Sequence, residues 1–420
     1  MDKNKIIKYC DNAIMVFLCL SIFCLPFSKA ALESFLWSAI VIFVAKRILG
    51  YRGSCFRGMF PQTPLNKVLG IFCAVNVLSV IFSVNLGLSL RGLLGKEFKF
   101  LAIFFILTEI INSKERLRNI LIAIVASAAL IIADAWVQYF RGFDFLRSYQ
   151  YSRLTASFSA ANGLAAWLVM VIPLVTGVFL WVKVIYRKLR ISLLVMIFLL
   201  FICLLLTYSR GAWLGIMLAG IFMSFYILKN SDAKAKIRYL SFIICLIIVF
   251  LLTSKLLNIS MRKVDKVNFD SGQTVGERIK SIVNINRGAS LVRLNLWKEA
   301  LMIIRDYPLT GCGVNTYSIV ARSYKVSESG GIYPHNSFLQ KAAETGLLGL
   351  FVFLWLIVQF FWVSFQSLKQ NKNMLVLGLL SGILAFLVQA FFDNHLYSLQ
   401  LVVLFWFILG LTIAVINLET

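Results

Sequence analysis

The stretch of sequence that decides the fold is residues 191–229, ISLLVMIFLLFICLLLTYSRGAWLGIMLAGIFMSFYILK. Two apolar runs, 191–208 and 211–229, flank Arg210, the only charged residue in its interior. A helix needs about 20 apolar residues to cross a bilayer, and its backbone must satisfy its hydrogen bonds internally. The stretch therefore predicts two membrane-spanning helices joined by a tight turn.

Comparable apolar runs follow one another along the chain and predict an all-α integral membrane protein with about twelve transmembrane helices. They lie near 11–28, 31–49, 66–86, 97–112, 117–140, 160–181, 191–208, 211–229, 239–256, 343–365, 374–391 and 399–417. Of the 420 residues, 60% are hydrophobic and 14% charged, and the mean hydropathy is +0.85. Soluble proteins are about half apolar and a quarter charged, so the composition disfavours a soluble enzyme. The first run lacks a small-residue cleavage site and is expected to be a retained anchor.

The distribution of Lys and Arg predicts the orientation. Of the 42 Lys and Arg, 13 lie in the long segment 255–341, to which the positive-inside rule does not apply. With the N-terminus inside, 21 of the others fall on the inner side and 8 on the outer side. The sequence thus predicts an N-terminal bundle of about nine helices (1–256), a large outer loop (257–340) and about three C-terminal helices (341–420).

The charge of the chain points to anionic lipids or lipid-linked substrates. The net charge is +24, and the loop 257–340 holds 11 Lys or Arg against 6 Asp or Glu. This loop is either a soluble cap or a basic surface that receives an anionic substrate. Basic residues in the other predicted outer turns favour the second interpretation. They are Arg91, Lys96, Arg141, Arg147, Arg153 and Arg210. In a membrane protein the charge does not indicate nucleic acid. The eight Cys and two His show no disulfide framework or metal-ligand spacing, so neither metal nor cofactor is expected.

Arg210 lies in the turn Tyr208-Ser209-Arg210-Gly211 at the predicted outer boundary of the membrane. An arginine there either extends to the aqueous interface or binds a partner. Because the turn is too short to form a cap, its guanidinium is expected near the lipid head groups. The phosphates of a polyprenyl lipid would lie at that level.

Residues 291–306, LVRLNLWKEALMIIRD, predict an amphipathic helix within the loop. At about 100° per residue, one face collects Leu294, Leu296, Trp297, Ala300, Leu301, Ile303 and Ile304. Arg293 falls inside this apolar arc and Arg305 lies at its edge, whereas Lys298, Glu299 and Asp306 lie outside it. A charge on a packing face must be paired or must serve a ligand, so Arg293 is expected in a salt bridge or a binding site.

The segment PHNSFLQ, residues 334–340, predicts the start of another helix, because Ser337 and Gln340 fit a capping box. His335 would then precede a helix N-terminus, where the dipole disfavours imidazolium. A neutral ring can act as a general base, although a capping or surface role is the alternative for a single His.

Other residues near this segment are weaker candidates. Glu344 lies about two turns further along and could orient a partner, and Gly346 and Gly349 would permit close helix packing. His395 lies in Asp393-Asn394-His395, at a different outer turn.

These elements resemble the O-antigen ligase and polymerase superfamily. The resemblance is carried by Tyr208-Ser209-Arg210-Gly211, then Arg293 with Trp297 and Pro308-Leu309-Thr310-Gly311-Cys312-Gly313, then His335-Asn336 with nine residues before Gly346 and Gly349. The segment Arg153-Leu154-Thr155-Ala156-Ser157-Phe158 with Asn162-Gly163 is similar to a weaker family pattern. The spacing after His335-Asn336 is most similar to the ligase that joins O-antigen to lipid A–core oligosaccharide.

The resemblance implies an enzyme of the bacterial inner membrane with a large periplasmic loop and a periplasmic active site. The reaction would move a glycan from an undecaprenyl-diphosphate carrier to a hydroxyl of lipid A–core oligosaccharide, without a metal and with inversion. Arg210 and Arg293 would bind the diphosphate, and His335 would be the general base or would orient the acceptor. Further substrate contacts would come from Arg153, Asn336, Arg305 and Glu344.

Other functions stay open on these residues. Polymerases and protein O-oligosaccharyltransferases share much of the pattern, so the acceptor is not fixed. A flippase or transporter of lipid-linked sugars should carry polar groups at mid-membrane on many helices. Here the mid-span positions are nearly all Leu, Ile, Phe, Val and Ala, which favours a transferase acting at one face.

Overall fold

The computed structural model of the protein describes residues 3–50, 61–144, 153–183, 185–230, 289–326 and 331–419, with short pieces between 232 and 248. Fourteen α-helices can be bounded within these residues. They are α1 (Lys3–Cys24), α2 (Lys29–Gly50), α3 (Asn66–Ile81), α4 (Leu86–Gly92), α5 (Phe98–Ile110), α6 (Lys114–Arg141), α7 (Ala161–Trp181), α8 (Arg187–Leu206), α9 (Arg210–Asn230), α10 (Ala289–Asp306), α11 (Tyr317–Val320), α12 (Ser337–Asn371), α13 (Met374–Ala390) and α14 (Leu399–Asn417). A π-helical turn, Leu93–Glu97, joins α4 to α5, and short 3₁₀ turns occupy Ala321–Tyr324 and His395–Tyr397.

The helices follow the apolar runs of the sequence. Eleven of the twelve predicted spans coincide with a helix, and the remaining one, near 239–256, lies mostly outside the described residues. Within the described part of the chain, seven helices are long and apolar enough to cross a membrane: α1, α6, α7, α8, α9, α12 and α14. Two shorter apolar helices are α3 and α13. This agrees with an all-helical integral membrane protein, while twelve crossings and the outer position of residues 257–340 stay predictions.

The chain forms two compact units, and the first comprises residues 1–123, 286–370 and 390–420. In it α1 packs along α2, and α14 packs on α5. A Cβ on Gly410 of α14 would lie 3.0 Å from the carbonyl oxygen of Phe104, so a small residue allows this close approach. Because α14 is buried along almost its whole length, it forms the centre of the unit.

The second unit comprises residues 124–285 and 371–389, and in it α7 packs against α8 and α9. Its close contacts also use glycine: a Cβ on Gly177 of α7 would lie 2.9 Å from the Cα of Gly378 in α13. Such small residues let helix backbones approach in lipid. Each unit draws on separate parts of the chain. The division into an N-terminal bundle, an outer loop and C-terminal helices stays a prediction.

Gly346 breaks α12 near its start. Its φ of 71° and ψ of 178° are not helical, and a Cβ there would lie 2.0 Å from the carbonyl oxygen of Leu309. The N–H of Leu347 donates to the carbonyl oxygen of Pro308 over 2.8 Å. Gly346 was expected to serve close helix packing; instead it gives room and an unusual backbone conformation where the chain after α10 crosses α12.

Candidate active site

His335 and Asp393 form the centre of the candidate site in the first unit. The Nδ1 atom of His335 lies 2.9 Å from Oδ1 of Asp393. The His335 side chain is 43% exposed and the Asp393 side chain 16%. Since an ionised carboxylate only accepts hydrogen bonds, Nδ1 carries the proton in the neutral ring. Nε2, on the edge that faces away from Asp393, then has a free lone pair and can accept a proton from a ligand.

The backbone at His335 has a positive φ of 48°, a conformation uncommon for residues other than glycine. Such conformations persist only where the surrounding structure holds them, and they occur often at functional sites. Here the conformation places the ring just ahead of α12, beside the turn that contains Asp393.

Hydrogen bonds from the first turn of α12 hold the Asp393 turn in place. The hydroxyl of Ser337 donates to the backbone carbonyl of Asp393 over 2.8 Å and accepts from the N–H of Leu396 over 3.2 Å. The side-chain amide of Asn394 donates to Oε1 of Gln340. These bonds join two segments more than 50 residues apart, so His335 and Asp393 meet at a fixed distance.

The cap of α12 differs from the predicted capping box. The side-chain oxygen of Asn336, not the Ser337 hydroxyl, accepts from the N–H groups of Phe338 and Leu339, over 2.9 and 3.0 Å. Asn336 is buried and serves as the N-cap. The prediction that a helix starts here is confirmed. The Asn336 side-chain oxygen is therefore used within the protein, and its predicted contact with substrate stays a prediction.

The electrostatics of the site keep Asp393 ionised. Burial alone would raise the pKa of Asp393, but the hydrogen bonds from His335 and from the Asn394 backbone outweigh it and hold this pKa well below its usual value. A carboxylate that stays ionised can orient the His335 ring and can stabilise the imidazolium formed when Nε2 takes a proton.

His395 lies beside the same carboxylate but differs in environment. It is buried, and burial lowers its pKa to about 4; Asp393 opposes this shift, while the charges of His335 and Arg293 add to it. At neutral pH the His395 ring is therefore uncharged. Of the two imidazoles, His335 is the exposed one, so a ligand would meet His335.

Arg293 reaches this group from α10. It lies one turn before Trp297, and residues four apart share a helix face. The Trp297 ring packs edge-on against Phe391, two residues before Asp393, with centroids 5.6 Å apart. The Arg293 guanidinium is near enough to His395 for its charge to lower that pKa. The structure thus brings Arg293, His335, Asp393 and His395 together within one unit.

The buried face of α10 agrees with the predicted one only in part. Leu296, Ala300 and Ile303 are buried as expected, whereas Leu294 and Leu301 are exposed. Glu299, predicted to lie outside the packing face, is buried, and its carboxylate accepts from the N–H of Val326 over 2.8 Å. A backbone donor from outside α10 thus satisfies this buried charge.

Glu344 has a role within the protein. It is buried, and its two carboxylate oxygens accept from the side-chain amide of Gln340 (3.1 Å) and from the N–H of Asn315 (2.9 Å). It therefore connects the loop after α10 to the first turns of α12. The predicted contact of Glu344 with substrate stays a prediction.

Arg305 is 77% exposed on its side chain, and its Nε lies 3.2 Å from the carboxylate of the adjacent Asp306. It lies three turns from Arg293 on α10, on a different face of the helix. The predicted substrate contact of Arg305 stays a prediction.

The second unit contains Arg153 and Arg210. Arg153 donates from Nε to the carbonyl oxygen of Thr207 over 2.8 Å and from its guanidinium to Oδ1 of Asn162 over 3.2 Å. Thr207 directly follows α8, so Arg153 and Asn162 stabilise the turn that leads into Arg210. The weaker family pattern thus has a structural role within the protein, and the predicted contact of Arg153 with substrate stays a prediction.

Arg210 is the first residue of α9, in a turn where Tyr208 has a positive φ of 50°. A cation at a helix N-terminus meets the positive end of the dipole, which disfavours it unless an anion is also present. The diphosphate-binding role predicted for Arg210 is compatible with this placement and stays a prediction.

The sequence did not identify Asp393 as a site residue, and it made His395 a weaker candidate than its position beside Asp393 indicates. The available signal was Asp393-Asn394-His395 itself, three polar residues between two long apolar runs on the side predicted for His335. Among the described residues, no group of three or more His, Cys, Asp or Glu is close enough together to hold a metal ion.

Comparison with known protein families supports the predicted resemblance. Residues 195–354 match the family model described as O-antigen ligase. The match includes Arg210, Arg293, His335 and Glu344 and ends before Asp393. It confirms the resemblance to the O-antigen ligase and polymerase superfamily, whose members are glycosyl-transferring enzymes. No curated protein matches the chain.

Proposed function

We propose that the protein is an O-antigen ligase, which transfers a glycan from undecaprenyl diphosphate to a hydroxyl of lipid A–core oligosaccharide on the periplasmic side of the inner membrane. The observation that carries the proposal is the contact between His335 and Asp393 beside Arg293. An exposed imidazole with its inner nitrogen bound to an ionised carboxylate is suited to take a proton from an alcohol.

The reaction begins with the acceptor hydroxyl on the Nε2 side of His335. Nε2 accepts the hydroxyl proton as the oxygen attacks the anomeric carbon of the lipid-linked glycan. The bond from that carbon to the diphosphate oxygen breaks, and undecaprenyl diphosphate leaves with the electron pair. Asp393 stabilises the imidazolium, which later returns its proton to water. A single displacement of this kind inverts the anomeric configuration.

Arg293 stabilises the charge that grows on the leaving diphosphate. A guanidinium can bind two phosphate oxygens at once, which an ammonium cannot do with the same geometry. Fixed positive charge aimed at a developing anion is commonly a large contribution to catalysis. The resemblance assigns the same kind of contact to Arg210, and that assignment is tested separately from His335 and Asp393.

Reconstitution of the purified protein in liposomes tests the proposal. The liposomes contain an undecaprenyl-diphosphate glycan and lipid A–core oligosaccharide. A ladder of glycan on lipid A–core, with loss of the donor lipid, is the expected result. Growth of the glycan on its own carrier would identify a polymerase instead. Movement of intact donor lipid across the bilayer, without transfer, would identify a flippase. A product that retains the anomeric configuration would contradict the single displacement.

A further inference from the structure

One face of α10 carries leucine and basic side chains that are exposed in the described part of the chain. Leu291, Leu294, Lys298, Leu301 and Arg305 fall within an arc of about 80° on a regular helix. All five are exposed, and Leu301 is 54% exposed. The opposite face, with Leu296, Glu299, Ala300 and Ile303, is the one that packs into the protein. We refer to the five exposed residues as the outer stripe.

The lipid-facing part of α12 shows where the membrane boundary lies in this unit. After the break at Gly346, five exposed apolar residues follow along one face of the helix: Leu347, Phe351, Leu354, Val358 and Trp362. Before the break, residues 340–346 are buried. A helix that can cross a membrane and is apolar on its exposed side faces lipid there. The lipid-facing zone of α12 therefore begins at Leu347.

The chain that follows α10 is bonded to α12 at that level. Pro308, two residues after the end of α10, accepts a hydrogen bond from the N–H of Leu347 over 2.8 Å. The next residue, Leu309, is 65% exposed. The C-terminal end of α10 thus lies at the height where α12 begins to face lipid.

A hydrogen bond to the segment after α3 places the loop after α10 at the same level of the membrane. The N–H of Val84, just after α3, donates to the carbonyl oxygen of Cys312 over 2.9 Å. Phe82 and Val84 are large, apolar and exposed. The loop 308–312 therefore runs along the boundary of the apolar zone between α3 and α12.

We propose that α10 lies along the membrane surface, with the outer stripe and Leu309 inserted into the lipid head-group layer. An 18-residue helix is about 27 Å long, so if α10 rose away from the bilayer, Leu291 and Leu294 would be far from lipid and exposed to water. Leucines along the whole stripe, with Lys298 and Arg305 between them, match an interface where apolar groups reach acyl chains and basic groups reach phosphates. The partner is the phospholipid surface, with preference for anionic head groups.

The anchor would also fix the height of Arg293. Arg293 is on the same helix but faces away from the outer stripe, toward the His395 turn. A helix held at both ends of its length on the bilayer keeps this guanidinium close to the head-group plane. The proposal stands on contacts and exposure, and it does not depend on the ligase activity.

Depth-dependent quenching on the full-length protein tests the anchor. A fluorescent non-canonical amino acid replaces Leu294, Leu301 or Ser323 in separate variants, reconstituted in phosphatidylcholine vesicles with or without phosphatidylglycerol. Ser323 is the matched control, because it is exposed on the 3₁₀ turn that packs near the buried face of α10, opposite the outer stripe. Quenching is measured with doxyl-labelled lipids and with aqueous iodide.

The expected result is a ratio of lipid quenching to iodide quenching several-fold higher at both leucine positions than at Ser323. In vesicles with phosphatidylglycerol, the variant K298E/R305E should lower the ratio at Leu301, and in phosphatidylcholine alone it should change it little. Strong iodide quenching at Leu294 would overturn the proposal, because α10 would then leave the surface. Protection of Leu301 from both quenchers would also overturn it, since a protein, such as a second copy of the chain, would cover the stripe.

Discussion

The Nδ1 atom of His335 lies 2.9 Å from Oδ1 of Asp393, although 58 residues separate them in the chain. The contact joins the segment just before α12 to the turn between α13 and α14. It fixes both the orientation and the tautomer of the imidazole, which leaves Nε2 free to act as a base.

The first prediction concerns Asp393→Asn. An amide can donate to Nδ1, which would move the ring proton to Nε2 and remove the basic lone pair from the exposed edge. Transfer is expected to fall by about 10²–10⁴. The measurement is the initial rate in liposomes at several donor concentrations; kcat should fall much more than KM rises. Asp306→Asn is the matched control, because Asp306 is exposed and its side chain accepts from Tyr324 and Arg305 rather than from a histidine. Equal rates in the two variants would remove Asp393 from the mechanism.

The second prediction compares His335→Asn with His335→Ala. Asn tolerates the positive φ of this position better than Ala, so it removes the base with less backbone strain. Both variants are expected to lose turnover by about 10²–10⁴ and to keep binding of the donor lipid. His395→Asn should lose much less, because His395 is buried whereas the His335 side chain is 43% exposed. Near-normal turnover in His335→Asn would give His335 a structural role only.

The helices could be predicted from the sequence because an apolar run is a local property, and residues such as those of 191–208 form a helix wherever they pack. The site needed contacts between distant segments. The pattern from Ser337 to Gln340 fits a capping box, yet the Ser337 hydroxyl bonds to Asp393 and Asn336 takes over the cap. Glu299 is buried only because Val326 supplies a donor from another loop. Hydrophobic periodicity contains no information about either partner.

The third prediction concerns Arg293. Arg293→Ala is expected to abolish transfer while the protein stays folded in the membrane, since the diphosphate would leave without a paired cation. Arg293→Lys should restore only part of the rate, because an ammonium lacks the planar pair of donors. Arg322→Lys, an exposed arginine in the same unit, is the control and should be fully active. Full activity of Arg293→Lys would mean that a single positive charge is enough to stabilise the leaving diphosphate, and it would contradict the need for a planar pair of donors.

The fourth prediction concerns metal ions. Transfer is expected to continue at full rate in excess EDTA, because arginine side chains hold the diphosphate where many glycosyltransferases use a divalent cation. The assay is the same liposome reaction after extensive treatment with chelator. A rate that collapses and returns on addition of Mg²⁺ or Mn²⁺ would contradict this account of the leaving group.

The last prediction concerns the acid sensitivity of the fold. The pKa of His395 is about 4 in the folded protein and about 6.5 in an unfolded chain, so between these values the unfolded chain binds more protons. Stability therefore rises with pH in this window, and it is lost as the pH falls from 6.5 toward 4. At pH 5 the loss from this one group is about 2 kcal/mol, as an upper estimate for a buried imidazole. Asp393, whose pKa is lowered by its hydrogen bonds, contributes in the same direction only below its unfolded value of about 4.

The measurement that tests this acid sensitivity is the thermal unfolding midpoint in detergent at pH 7 and pH 5. The wild-type midpoint should fall on acidification, and His395→Gln, which cannot titrate, should show a clearly smaller fall. If both proteins lose the same number of degrees, another group is responsible for the acid sensitivity and the buried, neutral His395 is not.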